Sequence, residues 1–408
     1  MRHDSTIRRR HVWFSREGIS FLFVLTFIVV GAVIRQVNLL FVLAGLLIAA
    51  LLINWRYAMA SIRKLSVRRH APQLLHAGQT LVVDFDIENR SQTMASCNVN
   101  IRDRIQRLNV SGSERNSAET RTIGRKRRRP VKINVNFPEI PAGQVSNGHY
   151  RCLLTERGKY RLGPLVVSTR FPLGLVWAFG LLRQNHTIEV APRLGRLVGK
   201  WAELVHGRAR SGEHRSQRYS SEASGDFYSI RPWRSGDSRR SIHWRSSAKT
   251  GQLEVRQFEE QRDGGVALIL DFWRPAAATE TQAAFAELAA SVMATAVDQT
   301  LRELNGPFYA AIAGESTKHF DGISSLEMRK EIFRYLAIAQ PDESPDTGEC
   351  LERCKQEGRI KQQLIVISTR PECLPQLIDK PDWPVSLQVC WMDVSSPEIE
   401  SLFRLDGI

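Results

Sequence analysis

Gly225-Asp-Phe-Tyr-Ser-Ile-Arg-Pro-Trp-Arg-Ser-Gly-Asp-Ser-Arg-Arg-Ser-Ile-His-Trp244, followed by Arg245 to Gln261 and then Val266-Ala-Leu-Ile-Leu-Asp271, is the stretch on which the chain turns. Phe227, Tyr228, Trp233 and Trp244 alternate with Arg231, Arg234, Arg239, Arg240 and Arg245. Such a mixture is too polar for an ordinary core. It is also too rich in Trp and Arg for an ordinary surface loop, because these residues anchor interfaces. Two readings stand side by side: a binding face, or a long connection held down by its own aromatics and ion pairs. Arg231, Trp233, Arg240 and Trp244 are the candidates for contact or for pinning the loop. Asp226 and Asp237 read as ion-pair partners of the arginines.

Downstream, strands alternate with helices. Gln252–Phe258 alternates as a strand, Asp263-Gly-Gly265 is a hairpin-type turn, and Val266–Leu270 suits a strand buried on both faces. A helix is expected over 281–304, with Ala284, Leu288, Val292 and Ala296 on its apolar face. Strands at 308–313, 364–367 and 385–391, with helices near 325–338 and 348–356, complete an open parallel α/β sheet. Ligands of such sheets lie beyond the carboxyl ends of the strands, here Asp271, residues 314–317 and Ser368-Thr369-Arg370.

Upstream, residues 191–224 read as a linker, because Arg208–Ser224 is rich in Gly, Ser, Arg and Glu. Residues 60–190 carry only strand signals: Thr80–Ile87, Cys97–Ile101, Val131–Phe137, His149–Leu154 and Leu165–Thr169. Their spacing predicts a β-sandwich-like domain. Within it, residues 121–132 hold Arg121, Arg125, Lys126, Arg127, Arg128, Arg129 and Lys132. That cluster suits anionic lipid, at about 1 kcal/mol per basic residue, or a solvated loop; nucleic acid is the disfavoured third reading.

Two apolar runs, Ile19–Ile34 and Leu39–Ile53, precede the strands. Trp13 and Trp55 flank them as an aromatic belt would, so residues 19–55 read as a two-helix transmembrane hairpin. A signal peptide is disfavoured by the immediate second run and by the lack of a small-residue cleavage site; a buried helical hairpin is the soluble alternative. Residues 1–18 form a basic N-terminus. Arg8, Arg9, Arg10 and Arg16 on one side, and Arg56, Arg63, Lys64, Arg68 and Arg69 on the other, predict both termini and the soluble body on the cytoplasmic face of the cell membrane.

The 408 residues imply two or three domains, and the net charge of +15 implies an anionic partner or surface. The six cysteines (97, 152, 350, 354, 373 and 390) show no CxxC spacing and signal neither disulfides nor zinc. Asp237, Ser241, His243, Ser246 and Ser247 could supply an acid, a base and a nucleophile. A triad is defined by geometry rather than by density, so a non-enzymatic reading is preferred. The sequence contains no GxSxG, HExxH, Walker A or dinucleotide fingerprint.

The chain resembles the membrane-anchored members of domain of unknown function 58. The resemblance runs through the N-terminal hairpin, the β segment, Arg157–Pro164 and Pro172-Leu-Gly174. It is densest at Gly225, Asp226, Phe227, Arg231, Trp233, Gly236, Asp237, Arg240, Ile242, Trp244, Ser247, Ala248, Lys249, Leu253, Val255, Phe258 and Glu259, with His243 inside the same run. It implies a von Willebrand factor A-like C-terminal domain over 225–408. In that fold a metal site is built on Asp-x-Ser-x-Ser. This sequence has Asp271-Phe-Trp-Arg-Pro275, both serines being lost, so a degenerate site without metal is expected, with Arg274 beside Asp271. No cofactor is implied. Family members are often encoded near MoxR-type AAA+ ATPases and transglutaminase-like membrane proteins, which implies a scaffold or adaptor that works with such partners.

Overall fold

A computed structural model describes residues 9–108, 130–198, 226–235, 237–259, 266–303, 306–356, 363–370 and 388–405. They form two compact units, one of Met1–Arg193 with Phe333–Ile338, the other of Leu194–Ile332 and Ala339–Gly407.

The first unit begins with strand β1 (Arg9–Phe14) and two helices, α1 (Arg16–Arg35) and α2 (Asn38–Arg63). Both helices are long and apolar enough to cross a membrane. Then come β2 (Leu65–His70), β3 (Leu74–His76), β4 (Thr80–Asn89), β5 (Ser96–Leu108), β6 (Val131–Ile140), β7 (Val145–Leu153), β8 (Gly158–Leu162), β9 (Leu165–Thr169), β10 (Val176–Leu182) and β11 (His186–Ala191). One sheet has the order β2-β4-β7; the other runs β1-β10-β9-β5-β8-β11-β3, with β6 also on β5. All pairs are antiparallel except β11 with β3. In β4 the buried Leu81, Val83, Phe85 and Ile87 alternate with outward positions, as the two-residue period of a strand requires. They share one core with Val99, Ile101, Leu162, Val167 and Ile188 of the other sheet. The expected sandwich is therefore a pair of sheets on a common core.

The helices are longer than the apolar runs. At about 1.5 Å per residue, α2 reaches about 39 Å, beyond a bilayer core of about 30 Å. Its last part is sheet-bound: Asn54, Ala58, Ser61 and Ile62 are buried. Tyr57 donates to the Ala95 carbonyl (3.1 Å) and the Ser61 carbonyl accepts from Ser96 Oγ (2.9 Å). The N-terminal segment, expected only as a basic N-terminus, also supplies β1, which pairs residue for residue with β10 from Arg9↔Leu181 to Phe14↔Val176.

The later elements are β12 (Gly195–Leu197), β13 (Asp226–Pro232), α3 (Trp244–Thr250), β14 (Glu254–Glu259), β15 (Val266–Asp271), α4 (Glu280–Glu303), β16 (Pro307–Ala313), β17 (Lys318–Ile323), α5 (Leu326–Ile338), α6 (Thr347–Gln356), β18 (Gln363–Ser368), β19 (Gln388–Asp393), α7 (Ile399–Leu402) and β20 (Phe403–Leu405), all in the second unit but for Phe333–Ile338 of α5. Five strands form a sheet in the order β17-β16-β15-β18-β19. β15 is parallel to β16 and β18, and β18 to β19, as helical crossovers allow.

Four expectations need correction. The sheet is not wholly parallel, since β17 closes one edge as the antiparallel half of a hairpin with β16. Strand 252–258 does not form a hairpin with 266–270: β14 pairs with β13, and β15 takes its neighbours from later in the chain. On α4 the expected face holds only from its middle onward: Val292 and Ala296 are buried and Leu288 is partly buried, but Ala284 is exposed, and Ala286, Ala289, Ala290, Met293 and Val297 are buried besides. The expected linker also starts late, because Gly195–Leu197 pairs with Phe403–Leu405; 199–224 lies outside the described residues, as do 121–129 of the basic cluster. Lys132 of that cluster is exposed on β6.

Candidate functional site

The signature stretch folds as a hairpin. β13 and β14 pair from Asp226↔Glu259 to Pro232↔Glu254, with a register shift between Phe227 and Ser229. The connection between them contains a 3-10 turn (Arg239–Ser241) and α3. Backbone bonds carry the ladder inward past the strands: Trp233 N donates to Leu253 O and His243 N to Glu254 O, both at 2.8 Å. Gly251 ends α3 at φ 73°, a left-handed conformation that glycine adopts without penalty.

Side chains lock the same connection. Arg231 grips Asp237 through two bonds of 2.6 Å, and the Arg234 backbone N–H adds a third donor at 2.8 Å. The bond from Arg231 holds the Asp237 carboxyl below its usual range. His243 Nδ1 accepts from the Ser246 backbone N–H (3.3 Å), so the imidazole caps α3. Ser247 is buried; its hydroxyl donates to His243 O (3.1 Å) and accepts from Glu254 N (2.9 Å). Ser246 Oγ bonds Glu254 Oε2. Glu254, which sequence reasoning did not single out, is thus tied to α3 through both its backbone and its side chain.

What remains outward is aromatic and cationic. Trp244 is 67% exposed and Trp233 38% exposed. Arg234, Arg239, Arg240, Arg245 and Lys249 are exposed as well. The four contact candidates therefore divide: Arg231 pins, and Trp233, Arg240 and Trp244 face solvent. Asp226 and Phe227 lie on β13, their side chains outside the described set, as is Gly236.

The acid, base and nucleophile candidates have other occupations. Asp237 is spent on Arg231, and His243 Nδ1 is an acceptor, whereas in a Ser-His-Asp triad that nitrogen donates to the acid. Ser241 is buried in the 3-10 turn.

A second constellation sits at the carboxyl end of β15. Asp271 is fully buried. Its Oδ1 accepts from Thr347 Oγ1 and Arg370 Nη2, both at 2.7 Å; its Oδ2 accepts from Ser368 Oγ (2.6 Å) and Arg370 Nε (3.0 Å). Four donors fill a carboxylate that offers about four lone-pair sites. The Arg370 guanidinium lies 5.7 Å from the centroid of the Trp273 ring. A divalent cation would find no open lone pair here and would meet a fixed positive charge, so these residues do not fit a metal. The cation at Asp271 is Arg370, not the sequence-adjacent Arg274, whose backbone N–H instead donates to Asp342 O (2.8 Å). Among the described residues no group of three His, Cys, Asp or Glu side chains could hold a metal ion.

Comparison with known proteins places the same stretch. Uncharacterized protein YeaD of Bacillus subtilis (strain 168) is 24% identical over 193 residues, which cover 47% of this chain and 46% of that protein, so the chain matches about half the length of this relative. A β-glucosidase from Listeria innocua (18% identity, 31% of this chain, 16% of that one) gives a TM-score of 0.20. The CARDB domain of a Pyrococcus furiosus protein (11% identity, 31% of this chain, 91% of that one) gives 0.19. Neither likeness carries weight for fold or function. Residues 229–388, which take in the hairpin from Ser229 onward and most of the five-stranded sheet, match the family model described as Protein of unknown function DUF58.

Proposed function

We propose that this chain is a membrane-anchored, non-enzymatic scaffold or adaptor that docks a protein partner on the signature hairpin. The observation that carries this reading is the exposure of Trp244 and Trp233 among exposed arginines, on a connection whose backbone is already locked. Exposed Trp and Arg on a preorganised frame lose little entropy on binding and supply the side chains that dominate interface energetics. The partner surface that suits them is acidic, with a cleft for an indole. A MoxR-type AAA+ ATPase is the proposed partner, with a transglutaminase-like membrane protein as a further member of the assembly. The five-stranded sheet serves as a von Willebrand factor A-like platform, and α1 and α2 as the anchor.

The test is co-purification of the detergent-solubilised full chain with a purified MoxR-type ATPase from the same cell, comparing wild type with Trp244→Ala, Arg240→Ala. Both positions are exposed, so the variant keeps its fold. Recovery by wild type alone supports hairpin docking. Equal recovery by both moves the docking surface elsewhere and leaves the hairpin as bracing. Recovery by neither overturns this partner.

A further inference from the structure

Where α2 meets the sheets there is a cavity of about 450 Å³, within the roughly 300–1,000 Å³ typical of small-ligand pockets. Trp13 and Phe14 of β1, Leu52, Trp55 and Met59 of α2, and Val176 of β10 line it. The remaining lining residues, Val12 and Leu51, are also apolar. A polar small molecule would have none of the convergent polar side chains that orient such ligands. The wall is open on one side: Phe14, Leu52 and Trp55 are about half exposed, and Trp13 more so. On α2 the lining face continues toward the helix connection through Ile48 and Phe41, both exposed, so the open side runs into outward apolar surface. Exposed cations sit at the same level, since Arg16 and Arg56 follow Phe14 and Trp55 in the chain.

We infer that this cavity holds one acyl chain of an anionic phospholipid, with Arg16 and Arg56 taking the headgroup phosphate. The inference rests on the membrane reading proposed above. Three observations select this occupant. The lining is wholly apolar, so burying a hydrocarbon chain there is favourable at about 0.8 kcal/mol per methylene. The opening is continuous with the surface that a bilayer would cover. Two tryptophans stand at the rim, where amphipathic rings sit at the level of the headgroups. A chain seated there would bridge β1, β10 and α2, and so brace the anchor against the body.

The experiment uses the full chain reconstituted with phosphatidylglycerol and phosphatidylcholine. Flotation with vesicles reads membrane association, and native mass spectrometry after detergent extraction reads retained lipid. The variants are Val12→Trp, which fills the cavity, and Arg16→Gln, Arg56→Gln, a surface change that leaves packing intact. The expected result is that all three proteins float. Wild type retains one phosphatidylglycerol, Val12→Trp loses it, and the double arginine variant loses its preference for phosphatidylglycerol over phosphatidylcholine severalfold. If all float but wild type retains no lipid, or all three retain the same lipid equally, the cavity proposal falls and the membrane reading stands. If wild type fails to float, both fall together.

Discussion

At the scale of single residues, the second unit is organised by carboxylates that have already been answered. Asp271 ends a fully buried strand, and a charge there is tolerable only because Arg370 and two hydroxyls surround it. Removing one partner of a buried pair leaves the other uncompensated, at a cost of about 3–5 kcal/mol. Arg370→Met is therefore expected to destabilise this unit by that amount, read as a lower denaturant midpoint at unchanged m-value, and Asp271→Asn in the same chain to recover part of the loss. Magnesium or manganese added to wild type is expected to leave the midpoint unchanged, and a Asp271-dependent rise would overturn the assignment. Asp237 makes the complementary case at a partly buried site. Its folded pKa lies below the unfolded value of about 3.9, so its contribution is complete above that pH and is lost as pH falls through the folded value. The stability difference between wild type and Asp237→Asn should thus be constant at neutral pH, begin to shrink as pH falls below about 4 and be lost as pH falls through the folded value, as followed by thermal unfolding across the acid range. The Arg231–Asp237 pairing was legible because the two stand six positions apart in one polar run. Arg370 was not, because it lies 99 positions from Asp271 and only the parallel register of β15 with β18 brings them together.

Among the elements, local pattern carried far and pairing did not. The helices expected at 281–304, 325–338 and 348–356 and the strands at 308–313 and 364–367 coincide with observed elements to within a residue or two, because each has a strong period of its own. The Asp263-Gly-Gly265 signal suggested a β14–β15 hairpin, yet β15 is claimed on both sides by parallel partners. A turn signal reports only a few residues, whereas sheet neighbours depend on the packing of the whole unit. The join between helices and sheets was likewise illegible, and it yields a sharp expectation. Ser15 caps α1 through Gly18 N and also reaches Gly174 O at 2.6 Å, while Asn54 of α2 accepts from Leu173 N at 2.8 Å. The segment 173–175 therefore holds both helices. At Gly18 a Cβ would overlap the Leu175 carbonyl oxygen. Gly18→Ala should cost about 1–3 kcal/mol, the range for overpacking a tight contact, read as a lower unfolding midpoint in detergent. Gly31→Ala on the same helix meets open space and should not lower the midpoint, and by removing glycine's helix penalty should raise it slightly.

On the scale of the whole molecule, the helical pair departs from the sheet-rich unit and returns to it. β1, just before α1, pairs with β10, and α2 runs on into β2. Both outer ends of the pair are thus held by one body, and the connection at Gln36–Val37 is the part remote in the chain from both ends. If the pair spans a bilayer, its two ends share one face with the first unit and the connection lies on the other. Under the proposed membrane anchoring, the charge distribution predicts the faces: Arg16, Arg56, Arg63, Lys64 and Arg68 cluster where the helices join the body, and only Arg35 stands at the connection. Basic residues near the ends of apolar helices are retained on the cytoplasmic side. A cysteine placed in the connection, Gln36→Cys, should therefore react with a membrane-impermeant maleimide in intact cells. The wild-type cysteines at 97, 152 and 390 should react only after permeabilisation. Labelling of the wild type in intact cells, with Gln36→Cys adding nothing, would place the body outside. It would also remove the cytosolic ATPase from the set of partners that the hairpin could meet.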